Sequence, residues 1–276
     1  MKTIFKTINL ILLGIFIMPS FLLLVPLCNT QQMKVDAYYC DNSYSETGTI
    51  TYTETYIEYD TYSINDVLMN RFVPTYENAT QLNSCAPMAA TIVIGYYDYL
   101  YENLVPNASV GMMYNNKYYY TGMNDQLLEI KENLYTLMGT NTEAPGTSVN
   151  QFINGFTSYV DQQGYNISFS SCGALNLNTL QSHILNQTPV VVFLNSYTYY
   201  SNGIAIDDGT KLTFLQKSSN NGHVAVCYGY REIYFTKDGN SWTEKYIVVS
   251  FGDGSAGLIN VNSTSSIDAS YAVSIY

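Results

Sequence analysis

Two side chains of this sequence, Cys85 and His223, have the chemistry of a nucleophile and its base. Cys85 stands within the segment QLNSCAP and directly precedes a long apolar run, so we expect it to begin a buried helix. The first N–H groups of a helix have no partner within the helix and carry positive potential. They favour a thiolate, which is the reactive form of cysteine, and they can also bind an oxyanion.

His223 is the better of the two histidines as a proton carrier. It follows Gly222 and begins a segment that predicts a strand, whereas His183 falls in a predicted helix on its expected solvent face. A lone cysteine is usually a small buried hydrophobe, and a histidine after glycine is often a turn residue. A helix-start cysteine followed by a strand-start histidine about 140 residues later matches the order in papain-like proteases. The two residues together therefore favour a catalytic pair.

The elements that would position this pair change character along the chain. Apolar residues at helical spacing predict four helices, at about 85–102, 124–138, 148–163 and 178–186. Short β-branched segments predict strands at 189–194, 223–230, 246–251 and 272–276. Because the helices come first and the strands later, the pattern predicts an α+β fold.

Three segments resemble bacterial cysteine peptidases of the C39-like and streptopain-like type. Residues 81–90 (QLNSCAPMAA) resemble their nucleophile segment, in which Asn/Asp-Cys-Gly/Ala-Pro-Thr-Ala-Ala begins a long helix. Residues 221–230 (NGHVAVCYGY) are similar to their Gly-His-x-x-x-x-x-Gly-Tyr segment, and residues 186–192 (NQTPVVV) to a Pro-Val strand between the two. The papain signature itself, Cys-Gly-Ser-Cys-Trp, is absent. The resemblance covers residues 73–260 approximately.

The resemblance implies a papain-like α+β fold. The N-terminal half should be mostly helical, with Cys85 on its central helix, and this helix should pack on a mostly antiparallel sheet that carries His223. The family places an Asp or Asn after the last long strand to orient the imidazole, which here selects Asp253. An ordinary Asp-Gly turn explains that residue equally well, and Asn83 and Ser250 are reserve candidates.

Gln81 is the residue that the resemblance selects as the side-chain donor to the oxyanion. It lies four residues before Cys85, closer than the spacing of about six in papain-like enzymes. No CxxC motif or clustered Cys/His spacing is present, so we predict neither a metal site nor a cofactor.

The N-terminus predicts export. Lysines at positions 2 and 6 precede an almost wholly apolar stretch, which is typical of a secretory signal. We expect a signal peptide over residues 1–37, a Tyr/Thr-rich leader or short pro-segment over 38–72 and the peptidase domain over 73–276. The alternative is an uncleaved membrane anchor, because the apolar run approaches the roughly 20 residues that span a bilayer.

The charge of the chain limits its partners. The formal charge is −11, and it becomes −13 if residues 1–37, with three lysines and one aspartate, are removed. An acidic protein repels phosphate backbones, so we expect no nucleic-acid partner and no membrane contact beyond an uncleaved anchor. We predict a secreted or cell-surface monomer that hydrolyses peptide bonds. The rivals are amidase or transglutaminase-like acyl transfer, and a binding module with an inert site.

Overall fold

An antiparallel sheet of eleven strands dominates the part of the chain that the structure describes. The structure is a computed structural model, and it describes residues 51–71, 73–76, 83–101, 103–106, 112–114, 117–119, 125–201, 206–263 and 267–276. All of these residues belong to one compact unit. The predicted signal peptide and Gln81 lie outside the described residues.

The strands of the large sheet are β1 (Thr51–Glu58), β2 (Thr61–Leu68), β5 (Ile167–Gly173), β6 (Val190–Leu194), β7 (Tyr197–Ser201), β8 (Ile206–Asp207), β9 (Lys211–Ser219), β10 (His223–Lys237), β11 (Asn240–Ser250), β12 (Ala256–Asn260) and β13 (Ile267–Ile275). Their order is β1-β9-β7-β12-β11-β10-β6-β13-β5, with β2 paired to β10 and β8 paired to β9. A separate two-stranded sheet pairs β3 (Met112–Tyr114) with β4 (Lys117–Tyr119).

Four α-helices accompany the sheet: α1 (Cys85–Tyr97), α2 (Asp125–Leu137), α3 (Val149–Gln162) and α4 (Leu177–Leu185). A single 3-10 turn, Val261–Ser263, follows β12. The four helices form close to the positions that the sequence predicts. Among the described residues, none of the helices combines the length and apolarity that crossing a bilayer requires.

The predicted papain-like α+β fold with a mostly helical N-terminal half is wrong, because the structure is β-rich. Strands β1 and β2 precede α1, and the helices are short elements beside a sheet of eleven strands. The sequence predicts no strand at β7, β9 or β12. Strands β7 and β12 are only five residues long, and β9 alternates buried and more exposed residues, so none of the three has the β-branched apolar run on which the other strand predictions depend.

Two separate hydrophobic cores pack against the sheet. The larger core contains buried hydrophobic residues of all four helices, all of β6, and consecutive residues at the start of β10. The smaller core contains residues of β9, β10, β11 and β12 together with Tyr59, which links β1 to β2. Strands β1 and β2 do not pair with each other; β1 pairs with β9 and β2 pairs with β10. The chain segment from β1 to β2, the N-terminal arm, thus covers the smaller core.

Helix α1 is the most deeply buried helix of the larger core. All of its residues except Gly95 are buried, as its apolar sequence predicts. Pro87 occupies the first turn, where proline costs no intrahelical hydrogen bond. The helix packs against β10, α2 and α3. Cys85, the first residue of α1, is thereby placed at the edge of the core beside the strand that begins with His223.

Candidate active site

Cys85 occupies the first position of α1, with Ser84 as the N-cap residue. A serine in this position usually accepts a hydrogen bond from the second or third N–H of the helix. The third residue here is Pro87, which has no N–H, and the Ser84 side chain makes no capping bond. The hydroxyl is fully buried and has no hydrogen-bond partner among the described residues. The start of α1 therefore keeps its positive potential beside the thiol.

Cys85 differs from the other two cysteines that the structure describes. All three are free thiols. Burial raises the pKa of the Cys227 thiol to about 12, so this side chain stays protonated at neutral pH. Burial also raises the pKa of Cys172. Neither of these cysteines lies at a helix start, so Cys85 is the candidate nucleophile among them.

His223 is the first residue of β10 and is buried, with 3 % of its surface exposed. Its Nε2 lies 2.8 Å from the carbonyl oxygen of Phe251, the residue that follows β11. A carbonyl oxygen can only accept, so the Nε2 atom carries the proton in the neutral ring. Nδ1 is then the nitrogen with the lone pair. The backbone of Phe251 thus selects the tautomer in which Nδ1 is the base.

The start of α1 and the start of β10 meet at Gly252. A Cβ at Gly252 would lie 2.6 Å from Met88 Cγ and 3.7 Å from Ile92 Cδ1, so the glycine allows close contact with α1. Residues three and seven apart share one face of a helix, and Cys85 therefore lies on the face of Met88 and Ile92. The thiol belongs to the helix face that borders the corner holding His223.

Asp253, the predicted orienting residue, makes its hydrogen bonds within its own turn. Its Oδ1 accepts a bond from the Ser255 N–H at 2.9 Å and a further bond from the Ser255 hydroxyl. This is the Asp-Gly turn that the sequence offered as the alternative. The Ser250 hydroxyl, a reserve candidate, donates to the Pro74 carbonyl at 2.8 Å. Among the described residues, the imidazole Nε2–H donates to a main-chain carbonyl, that of Phe251, and no side-chain pattern can indicate such an acceptor.

Asn83, the other reserve candidate, precedes the N-cap in the left-handed conformation, with φ of 61°. Its Nδ2 donates to Asn141 Oδ1 at 2.5 Å, and that oxygen also accepts the Gly146 N–H at 2.7 Å. Asn141, also left-handed with φ of 64°, donates from Nδ2 to Tyr135 Oη at 2.5 Å. The loop after α2 therefore holds the residue that leads into α1. The sequence analysis missed Asn141, and the polar turn signal around it could have indicated a loop but not this contact.

Comparison with family models and with curated proteins finds no relative. No protein-family model matches this chain, and no curated protein matches its sequence. Among the residues that the structure describes, no group of three or more His, Cys, Asp or Glu side chains could hold a metal ion. The chemistry of the site rests on the geometry of Cys85, His223 and the Phe251 carbonyl.

Proposed function

We propose that this chain is a cysteine-type peptidase in which Cys85 is the nucleophile and His223 is the base. The observation that supports the proposal most directly is the hydrogen bond between His223 Nε2 and the Phe251 carbonyl. This bond leaves the Nδ1 lone pair to accept a proton from a thiol. The contact of Gly252 with α1 supports the placement of that thiol on the adjoining helix face.

The proposed reaction has two stages. His223 Nδ1 takes the proton of the Cys85 thiol, and the thiolate attacks the peptide carbonyl carbon, which becomes a tetrahedral oxyanion. The intermediate collapses as the C–N bond breaks and the imidazolium gives its proton to the leaving amine, which leaves a thioester. Nδ1 then takes a proton from water as the hydroxide adds to the thioester carbonyl. Cleavage of the C–S bond releases the carboxylic acid and restores the thiol form of the pair.

Three contributions assist these steps. The N–H groups at the start of α1 favour the thiolate and can donate to the oxyanion. The Phe251 carbonyl accepts from Nε2–H and stabilises the imidazolium, a role that a carboxylate or amide has in other triads. Gln81 keeps its predicted role as a proposal. The orienting role predicted for Asp253 passes in this proposal to the Phe251 carbonyl, because Nδ1 acts as the base. The proposed substrate is an unstructured peptide or protein outside the cell, because residues 1–37 have the composition of a secretory signal.

The proposal is tested with Cys85→Ala and a matched control, Cys172→Ala, which removes a buried thiol from strand β5. We expect Cys85→Ala to abolish cleavage of casein and Cys172→Ala to retain it. Product analysis by mass spectrometry should show new peptide termini. Unchanged cleavage by the Cys85 variant would overturn the mechanism, and isopeptide products in place of new termini would replace hydrolysis with acyl transfer.

The rate of alkylation tests the reactivity of the Cys85 thiol independently of peptide cleavage. Trypsin places Cys85, Cys172 and Cys227 in three different peptides, 72–117, 132–211 and 218–231, because the lysines and arginines fall between them. Iodoacetamide at neutral pH should modify the 72–117 peptide much faster than the other two. If Cys85 reacts at the rate of an ordinary thiol, the chain is a binding module with an inert site.

A further inference from the structure

The imidazole of His223 packs against two aromatic rings. Its centroid is 5.5 Å from the Tyr197 ring and 5.6 Å from the Phe251 ring, with interplanar angles of 40° and 38°. The Tyr197 and Phe251 rings also stack on each other, with centroids 5.7 Å apart and planes 25° apart. The three rings therefore contact one another mutually, and this aromatic triangle limits rotation of the imidazole.

The aromatic triangle is closed to solvent. Tyr197 and Phe251 are each 2 % exposed, and His223 is 3 % exposed. Phe251 contributes both a ring of the triangle and the carbonyl that binds Nε2. Because these side chains are buried, the hydrogen bond lies in a medium of low dielectric constant, where it is stronger. His223 begins β10 and Phe251 follows β11, whereas Tyr197 comes from β7 and completes the triangle.

The sheet is built to hold Tyr197 in this position. Tyr197 pairs with Ser219, four residues before His223, where β7 meets β9. Tyr199 stacks on both neighbours, with centroids 5.9 Å from Tyr197 and 4.2 Å from Phe251. A Cβ at Gly257 would lie 2.8 Å from Tyr199 Cδ2 and 3.2 Å from Phe251 Cε2, so only glycine leaves room for this stack.

We infer that Tyr197 is a positioning residue for the His223 base. The inference rests on the proposed function for the role of His223, and it adds the element that keeps the imidazole oriented. The Tyr197 ring prevents rotation of the imidazole and shields the Nε2–H···O=C bond from water. Aromatic faces also attract cations, so the ring favours the imidazolium that forms during the reaction.

The state of the imidazole can be measured without activity. The chain contains two histidines, so uniform ¹⁵N-histidine labelling gives two imidazole spin systems, and His183→Ala assigns them. We expect His223 to be the Nε2–H tautomer, with an Nε2 proton that exchanges with water more slowly than any ring proton of His183. A His223 proton that exchanges as fast as that of His183 would overturn the inference in the wild-type chain.

Three variants distinguish the effect of the Tyr197 ring from the effect of its hydroxyl and from a general loss of stability. Tyr197→Met keeps side-chain volume but removes the ring, Tyr197→Phe keeps the ring, and Tyr200→Met removes a ring from the opposite face of β7. We expect Tyr197→Met to speed Nε2–H exchange and to lower kcat by about three- to tenfold with KM unchanged. Tyr197→Phe and Tyr200→Met should resemble the wild type in both measurements.

Two outcomes contradict the inference. One is a Tyr197→Met protein that folds and keeps wild-type exchange and kcat. The other is a Tyr197→Phe protein that loses as much as Tyr197→Met, since the hydroxyl would then be responsible. If Tyr197→Met does not fold, the wild-type exchange measurement decides. Failure of the proposed function has a different signature, because a slowly exchanging Nε2–H that depends on Tyr197 would persist in a chain whose Cys85 is inert.

Discussion

Gly146, Asn141 and Asn83 form a hydrogen-bond chain that leads into Cys85, and the direction of each donor in this chain is fixed. The Gly146 N–H donates to Asn141, so the accepting atom is the amide oxygen of that side chain. Asn83 must then donate to the same oxygen from its own Nδ2. The Asn83 Oδ1 remains as a buried acceptor with no hydrogen-bond partner among the described residues. In this arrangement Asn83 fixes the approach to the helix.

The direction of these hydrogen bonds predicts that an aspartate is tolerated at position 141 but not at position 83. In Asn83→Asp, a carboxylate oxygen would replace Nδ2 and face Asn141 Oδ1, so two acceptors would meet. We expect a loss of about 1–3 kcal/mol in the free energy of unfolding and slower alkylation of Cys85. In Asn141→Asp, both donors keep an acceptor, and the Tyr135 hydroxyl can turn to donate.

Asn141 is also exposed, so a charge there costs little desolvation. We expect the free energy of unfolding of Asn141→Asp, measured with urea, to lie within about 0.5 kcal/mol of the wild-type value. Equal losses in the two variants would show that the side-chain amides have the opposite orientation.

The sequence could indicate Cys85 and His223 as candidate site residues from their residue types and flanking patterns. It could not indicate the Phe251 carbonyl, because every residue has one.

At the scale of elements, the contact between α1 and the corner after β11 decides where the thiol lies. Gly252 has a left-handed backbone, with φ of 75°, and its missing side chain admits Met88. Both features require glycine: an alanine there would strain the backbone and place its Cβ 2.6 Å from Met88 Cγ. The corner therefore couples the position of β11 to that of α1.

Gly252→Ala should destabilise the protein more than the same substitution at a glycine where an added Cβ would contact no other atom. The matched control is Gly164→Ala, since Gly164 has φ of 84° and nothing within 4 Å of an added Cβ. We expect about 1 kcal/mol from the backbone at either site and a further 1–3 kcal/mol, approximately, from overpacking at Gly252. Alkylation of Cys85 should slow only in Gly252→Ala. Equal unfolding free energies for the two variants would contradict the close packing.

The elements show why prediction succeeded in part. Helix α1 could be predicted because its residues are apolar all round, and α3 because Phe152, Phe156 and Tyr159 recur on one face. The fold class could not be predicted from the same signals. Strands β7 and β9 are half polar, and their pairing with each other and with β12 and β1 depends on contacts distant in sequence. Local pattern therefore favoured the helices and underestimated the sheet.

At the scale of the whole molecule, the N-terminal arm is attached to the rest of the sheet at Asp207. The Asp207 carboxylate accepts hydrogen bonds from the Tyr59 hydroxyl, from the Tyr62 hydroxyl at 2.8 Å and from the Gly209 N–H at 2.7 Å. The bonds from Tyr59, from the Gly209 N–H and from Tyr62 hold the pKa of this carboxyl below its ordinary value. The charged form is thus favoured in the folded state.

This direction of the pKa predicts how Asp207→Asn depends on pH. A carboxyl whose pKa is lowered by folding stabilises the protein above its unfolded pKa and loses that contribution as pH falls towards the folded pKa. We expect the Tm difference between wild type and Asp207→Asn to shrink from about pH 6 to about pH 3. A Tm difference for Asp207→Asn that is constant over this range would contradict the direction of the pKa.

The pairing of the N-terminal arm has a consequence for the order of folding during synthesis. Thr55 on β1 contacts Gln216 at a separation of 161 residues, and Asp66 on β2 binds Arg231 at a separation of 165 residues. The arm is synthesised before the other strands of the large sheet, and its partner strands β9 and β10 follow more than 140 residues later. Closing such long loops is slow, so the arm should dock late, after the local β10–β11 hairpin. Until then the nascent chain has no complete smaller core, and the apolar residues of β9, β10, β11 and β12 that belong to it stay uncovered.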